Sequence, residues 1–282
     1  AVGAVAGCSS SQTGSGDSTE DKGITVGVFD MGTLYLMQTF DEMGYYKDNG
    51  ANVKFEYFPV YSDAMTAFNT SNVDMICYAC AEAVSPAVNG IDCKIIGVFD
   101  TSYGLDGIAA VDGINSIKDL KGKNVSIGAA GSGVFFNAMD VPGVYGMTEE
   151  DIKPTYQTFG DSADALKNGQ IDAAFIVAGA PTTAVTDLAT TKDVYLVSLD
   201  DEHVDQLLAK CPYYTKVTIG KDVYGLDSDT VTVAVGAVIL ARDDVSEDAI
   251  YALVADIFDN AASLTDTHAK YAEISTEYGA SI

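Results

Sequence analysis

Few residues in this chain can do chemistry. It holds two histidines, His203 and His268, and one arginine, Arg242. A His-rich metal site is excluded, and so is a mechanism using two imidazoles unless these two meet. Forked Arg recognition of phosphates or carboxylates is nearly excluded as well. His203 lies in Asp201-Glu202-His203-Val204-Asp205, which reads as an exposed helix face, and His268 falls in the last helix. Cys77-Tyr78-Ala79-Cys80 has C-x-x-C spacing, but Met75 to Ala79 reads as a strand, on which the two cysteines face opposite ways. With no second such pair, Cys77, Cys80, Cys93 and Cys211 read as buried free thiols. No G-x-S-x-G stands at a strand-to-helix turn beside a histidine. Asp30 and Glu82 could form an acidic site, but no spacing marks them as an acid/base pair. The chain is not expected to be an enzyme.

The remaining chemistry belongs to small residues at strand ends. Gly131-Ser132-Gly133-Val134 follows a strand and opens a helix. Unpaired N–H groups and the positive end of the helix dipole make such a turn an anion site that needs no arginine. The loop has no G-K-[ST] and lacks the third glycine of the dinucleotide pattern, so no cofactor is expected. In open α/β sheets ligands sit beyond the carboxyl ends of the strands. The residues there are Asp30, Met31, Gly32 and Thr33, then Tyr61, then Ala81 and Glu82. Further along come the Gly131 to Val134 loop, Phe159, and Ala178-Gly179.

The elements that must position these residues alternate. Strands are expected at 24–29, 53–58, 73–79 and 94–99, with helices at 33–43 (closed by Gly44) and 62–68 (capped by Ser62). This alternation predicts a mostly parallel α/β sheet. The pattern then repeats. Asp63 to Phe68 followed by Asn72-Val73-Asp74 is echoed, 98 positions later, by Asp161 to Leu166 followed by Gln170-Ile171-Asp172. Two similar α/β lobes follow from the echo. Lobe 1 is expected over 24–111 plus 226–282 and lobe 2 over 112–225, with crossings near 107–112 and 221–230. A long β run is expected over 230–242, and helices over 246–260 and about 265–274.

A net charge of −26 argues against nucleic-acid binding, which needs clustered Lys/Arg. It also repels anions at long range, so an anion would be captured without electrostatic steering. The apolar run Val233 to Ala241 spans nine residues, against about 20 for a membrane span, and reads as a buried strand. Val5-Ala6-Gly7-Cys8 looks like the end of a secretory signal with a lipobox, and Ser9 to Thr19 reads as a flexible tether. Residues 1–23 are therefore expected to be signal remnant, lipobox and tether. The folded body would lie outside the cytoplasmic membrane, anchored through Cys8.

From Lys118-Asp119-Leu120-Lys121-Gly122-Lys123 onward the chain resembles the solute receptors of the TAXI subgroup of TRAP transporters. The resemblance runs through Gly131-Ser132-Gly133, Ala163 to Phe175, Val177 to Thr182, Pro212 to Thr215 and Val231 to Val245. The earlier stretch Gly44 to Val53 instead looks like the sulfonate, nitrate and thiamin-pyrimidine class of ABC-transporter binding proteins. Both resemblances imply a two-lobed periplasmic binding protein of type II. They imply a monomer that captures a small, carboxylate-bearing solute and delivers it to a TRAP permease. The alternative is an ABC permease and a sulfonate, nitrate or heterocyclic solute. Ser132, Gly133 and Val134 would then hold the ligand's anionic group, Ala178 and Gly179 would supply backbone contacts, and Tyr213 or Tyr214 would cover it. Gly32, Thr33, Tyr61 and Ala81 would complete the pocket, and Glu82 would favour a cationic or hydrogen-donating ligand. The same fold hosts a suicide thiamin-pyrimidine synthase, whose cysteine-rich motif and cofactor-side histidine Cys77-Tyr78-Ala79-Cys80 does not supply.

Overall fold

A computed structural model describes residues 23–29, 32–48, 50–102, 106–179, 181–265 and 274–280. Cys8, Asp30, Met31, His268 and most of the helix expected at 265–274 lie outside the described residues.

The first half opens with β1 (Ile24–Val28), α1 (Gly32–Glu42), the single turn α2 (Tyr45–Asp48) and β2 (Val53–Tyr57). Then come α3 (Tyr61–Asn69), β3 (Met75–Ala79), the short α4 (Val84–Val88) and β4 (Cys93–Thr101). The second half runs β5 (Asp106–Ala110), β6 (Asn124–Ser126), α5 (Gly133–Val144), β7 (Lys153–Thr155), α6 (Phe159–Lys167) and β8 (Ala173–Val177). It continues with α7 (Thr183–Ala189), β9 (Tyr195–Leu196), α8 (Asp201–Lys210) and β10 (Tyr214–Ile219). The long β11 (Thr230–Arg242), α9 (Glu247–Asn260) and α10 (Thr276–Gly279) complete the described chain. Among the described residues no helix is long and apolar enough to cross a membrane.

The strands run in the order β2-β1-β3-β11-β5-β8-β6-β7, with β4 and β10 also on β11 and β9 on β5. This order contains one arrangement twice. β2, β1 and β3 are parallel, with β11 antiparallel beside β3. β7, β6 and β8 are parallel, with β5 antiparallel beside β8. The expected crossing segments, 107–112 and 221–230, fall on β5 and just before β11. Pairing changes hands elsewhere: between β4 and β5, and inside β11, where Thr230–Val235 run against β10 and Gly236–Arg242 against β4. One uninterrupted apolar strand can serve both sheets because both of its faces are covered. Val233, Ala234, Val238 and Ile239 have no exposed surface.

The echoed sequence folds into equivalent units, with α3 and α6, and likewise β3 and β8, 98 positions apart. Asp74 precedes β3, and its Oδ2 accepts the Thr25 N–H of the neighbouring β1 at 2.8 Å. Asp172 precedes β8, and its Oδ2 accepts the Asn124 N–H of the neighbouring β6 at 2.8 Å. Each aspartate satisfies a strand N–H that has no ladder partner, so each leaves its own strand. This is why β3 starts at Met75 and not at Val73.

Three apolar clusters fill the molecule. One packs β1, β3, β4 and the far half of β11 with α1, α3 and α9, around Phe40, Phe68, Phe99, Leu253 and Ile257. A second joins β5, β6, β8, α5 and α8, and takes in Ala79 from the end of β3. The third lies under α6 and α7, around Ala165, Leu166 and Val185.

Candidate functional site

Two loops meet where Ala79 enters the second cluster. On the first-half side, β3 ends at Ala79 and turns, with the Glu82 N–H donating to the Ala79 carbonyl at 2.9 Å. The turn folds the Glu82 side chain back over the strand end, leaving it 2 % exposed. Its Oε2 accepts the Ala79 N–H at 3.0 Å and the hydroxyl of Tyr61. Oε1 has no hydrogen bond among the described residues. Tyr61 begins α3, and its ring stands edge-on to Phe29 at 4.5 Å and to Tyr78 at 6.2 Å. The ring is half-buried, while its hydroxyl end is enclosed with Glu82. Burying the side chain in this way starts α3 at Tyr61 with Val60 as N-cap, in place of the expected Ser62.

On the second-half side, the loop after β6 turns at Gly128, whose φ is +72°, and a β-carbon there would stand 2.5 Å from Val134 Cβ. Both facts demand glycine. Ser132 then caps α5, its Oγ accepting the Phe135 N–H at 3.2 Å. The Phe136 N–H reaches the Ser132 carbonyl at 3.0 Å. The N–H groups of Gly133 and Val134 have no partner among the described residues, as expected of the first turn of a helix. A methyl group at Gly133 would stand 2.8 Å from Ala79 Cβ and 3.3 Å from Glu82 Oε1. Glu82 Oε1 therefore lies beside Gly133, the first residue of a helix carried by the other half of the chain.

The electrostatics follow from burial. Loss of water raises the Glu82 carboxyl from the usual 4.5 to about 8, against the pull of the Tyr61 and Ala79 hydrogen bonds. Burial first, and then the Glu82 charge, hold the Tyr61 hydroxyl well above the usual range for tyrosine. No cation offsets this. The lysine and arginine pairs among the described residues lie elsewhere, and Arg242 is spent on Asp244 at 2.6 and 2.9 Å.

The expected site residues separate into two groups. Tyr61, Ala81, Glu82, Gly131, Ser132, Gly133 and Val134 lie on the two facing loops. Gly32 and Thr33 open α1 at the end of β1, and Phe159 opens α6. Ala178 and Gly179 follow β8, where the Thr182 hydroxyl donates to the Gly179 carbonyl at 3.0 Å. Tyr213 points elsewhere. Its hydroxyl donates to Asp140 Oδ2 at 2.9 Å, in the second turn of α5 and well down the helix from Gly133, and the Tyr214 hydroxyl reaches the same oxygen at 3.3 Å. His203 is no freely exposed face. It stacks on Tyr145 at 3.7 Å, with Nδ1 2.7 Å from Asp200, the N-cap of α8. Cys77 and Cys211 are buried and Cys80 and Cys93 half-buried, and none of the four forms a disulfide among the described residues.

The sequence concealed one polar position and one pairing. Asp106, at the start of β5, is 2 % exposed, and neither carboxyl oxygen has a hydrogen-bond partner among the described residues. The nearby Ser102 hydroxyl and Val235 main chain are bonded to each other, at 2.9 and 2.7 Å, so they offset its burial only in part. Burial holds its carboxyl well above the usual range. The pairing of Tyr61 with Glu82 was also missed. Its one sequence signal is the echo, where the partners 98 positions on are Phe159 and Ala180.

This chain belongs to the NMT1-like family, whose model matches residues 107–281. Its fold is similar to that of the alkanesulfonate-binding protein from Xanthomonas axonopodis pv. citri bound to MOPS. That match has 14% identity and a TM-score of 0.60, and covers 89% of this chain and 76% of that one. The periplasmic aliphatic sulphonate binding protein of Escherichia coli matches at 16% identity and a TM-score of 0.53, covering 89% of this chain and 72% of that one. PhnD1 of Prochlorococcus marinus in complex with methylphosphonate matches at 13% identity and a TM-score of 0.53, covering 90% and 89%. The α/β class expected from the alternation is thus the fold of two-lobed periplasmic binding proteins.

Proposed function

We propose that this chain is an extracytoplasmic solute-binding protein of an ABC-type import system, closing its two lobes on a small oxyanion-bearing solute. One observation carries the reading: two strand-end loops from different halves of the chain meet, one bringing unpaired α5 N–H groups and the other the Tyr61–Glu82 pair. Donors of this kind can hold an oxyanion without arginine. The family and the fold relatives favour ABC import over the TRAP system that residues 118–245 resemble, because the relatives named above bind sulfonates or phosphonates. In this reading the first lobe comprises β1–β4, the Gly236–Arg242 half of β11 and α9, and the second comprises β5–β10 with Thr230–Val235. Closure pivots on β11, where its pairing passes from β10 to β4. The protein delivers its solute to a permease and does no covalent chemistry. The lipobox-like Val5-Ala6-Gly7-Cys8 supports a lipid anchor.

The test is a thermal-shift and calorimetric screen of the protein against ethanesulfonate, methylphosphonate, glutamate and thiamin-like heterocycles. A ligand at 100 times its dissociation constant adds about 2.7 kcal/mol of stability. Stabilisation by a sulfonate or phosphonate, reduced in Gly133→Ala, is the expected result. Stabilisation by glutamate alone would restore the TRAP reading, and no stabilisation by any class would overturn the receptor reading.

A further inference from the structure

The receptor reading leaves a charge conflict at its centre. An oxyanion on the Gly133 and Val134 N–H groups would meet Glu82 Oε1, since a single methyl group at Gly133 already stands 3.3 Å from that atom. Two negative oxygens cannot share so dry a space without a proton or a cation between them. Among the described residues no cation is at hand: the groups facing Glu82 are Tyr61 on α3, Tyr78 and the Ala79 N–H on β3, and Gly133 on α5. None carries positive charge.

The geometry also says where a proton would sit. Oε2 is saturated as an acceptor, with the Ala79 N–H at 3.0 Å and the Tyr61 hydroxyl both donating to it. Oε1 has no partner among the described residues and lies beside Gly133 at the start of α5. We propose that Glu82 enters the complex as a neutral carboxylic acid whose Oε1–H donates to an oxygen of the solute's oxyanion, while the Gly133 and Val134 N–H groups hold that anion from the other side. Tyr61 is then a positioning residue: its hydroxyl occupies Oε2 and leaves Oε1 as the site of the proton. The inference rests on the receptor reading and extends it to a substrate class, oxyanions that accept a hydrogen bond from an acid. The raised affinity of Glu82 for its proton is consistent with this role. A phosphonate satisfies the same site at the same proton count, because its own proton can take the place of the one on Glu82.

Calorimetric titration with ethanesulfonate from pH 6 to 9.5 tests the proposal, in buffers of different ionisation enthalpy. An alkanesulfonate stays ionised throughout, so any titration belongs to the protein. Affinity should be level at the acid end and fall tenfold per pH unit above about 8, with one proton taken up per ligand bound. Glu82→Gln should bind more weakly than the wild type at pH 6 and more tightly at pH 9.5, with no pH dependence. A residue acting only in folding would not produce that crossover. Tyr61→Phe should move the wild-type break in pH without abolishing it. Pronounced binding that is level with pH, or a Glu82→Gln profile parallel to the wild type, would overturn the proposal and leave the receptor reading standing. Failure of ethanesulfonate and methylphosphonate to bind at any pH would overturn the proposal, and failure of glutamate and the heterocycles as well would overturn the receptor reading with it.

Discussion

The α3–β3 unit and the α6–β8 unit are built alike and end differently. Asp74 and Asp172 each cap a neighbouring parallel strand at 2.8 Å. The Asn72 and Gln170 N–H groups each close the turn after their helix at 2.8 Å. The Arg242 and Val111 N–H groups reach the Asp74 and Asp172 carbonyls at 3.0 Å. Beyond the strands the match stops. Tyr61 stands where the second unit has Phe159, and Glu82 where it has Ala180. The first unit has gained a hydroxyl and the acid it bonds, and the second unit has neither. The shared residues hold the scaffold of both units, and the residues that differ set their two strand ends apart.

The largest effect should come from removing the acid. Its folded value of about 8 lies above the unfolded 4.5, so the native state holds a proton that the unfolded chain releases. That preference stabilises the fold at low pH and is lost as pH rises from about 4.5 to about 8. Glu82→Gln should therefore gain roughly 3–5 kcal/mol relative to wild type above pH 8, at 1.36 kcal/mol per unit, read from denaturant unfolding. A variant no more stable at pH 9 than at pH 5, relative to wild type, would break the comparison. Asp106→Asn should shift stability in the same direction, by about 1–3 kcal/mol at neutral pH, because it removes a buried and unpartnered carboxyl.

Next in size is the close approach of the two loops. Gly133→Ala has an ordinary backbone but meets Ala79 Cβ at 2.8 Å, so it should hold the loops apart and weaken ligand binding about tenfold, or ~1.4 kcal/mol. Calorimetry reads the loss, and unchanged affinity would place the ligand elsewhere. The scaffold aspartates should behave as twins. Asp74→Ala and Asp172→Ala should each cost about 1–2 kcal/mol, and unfolding midpoints differing widely between them would show that the units are not equivalent. The smallest effect belongs to Tyr213→Phe, which loses one half-buried hydrogen bond to Asp140. It should cost about 0.5–1.5 kcal/mol of stability and leave ligand affinity alone.

Much of the scaffold was legible in the sequence because its signals are local. Alternating apolar runs, each copy of the echo and the Gly131-Ser132-Gly133 turn are short contiguous stretches, and each reappears as an element or a loop. The TAXI-like stretch from Ala163 to Thr182 folds as α6, β8 and the turn after them, which are scaffold parts that say little about a solute. The site was half legible. Glu82 and Ser132 could be placed at strand ends, but the Tyr61–Glu82 bond spans 21 positions and depends on how α3 packs on β3. Tyr213 was misplaced because its orientation is set by Asp140 on a different element. Asp106 gave no signal, since its burial depends on β11 serving both sheets.

The most direct test of the difference between the units is the protonation state of Glu82 itself. Carbon-13 NMR of protein labelled at the glutamate carboxyls, titrated in parallel with Glu82→Gln to assign the resonance, reads it without any ligand. The account predicts one glutamate titrating near pH 8 and missing from the variant. All glutamates titrating near 4.5 would contradict it.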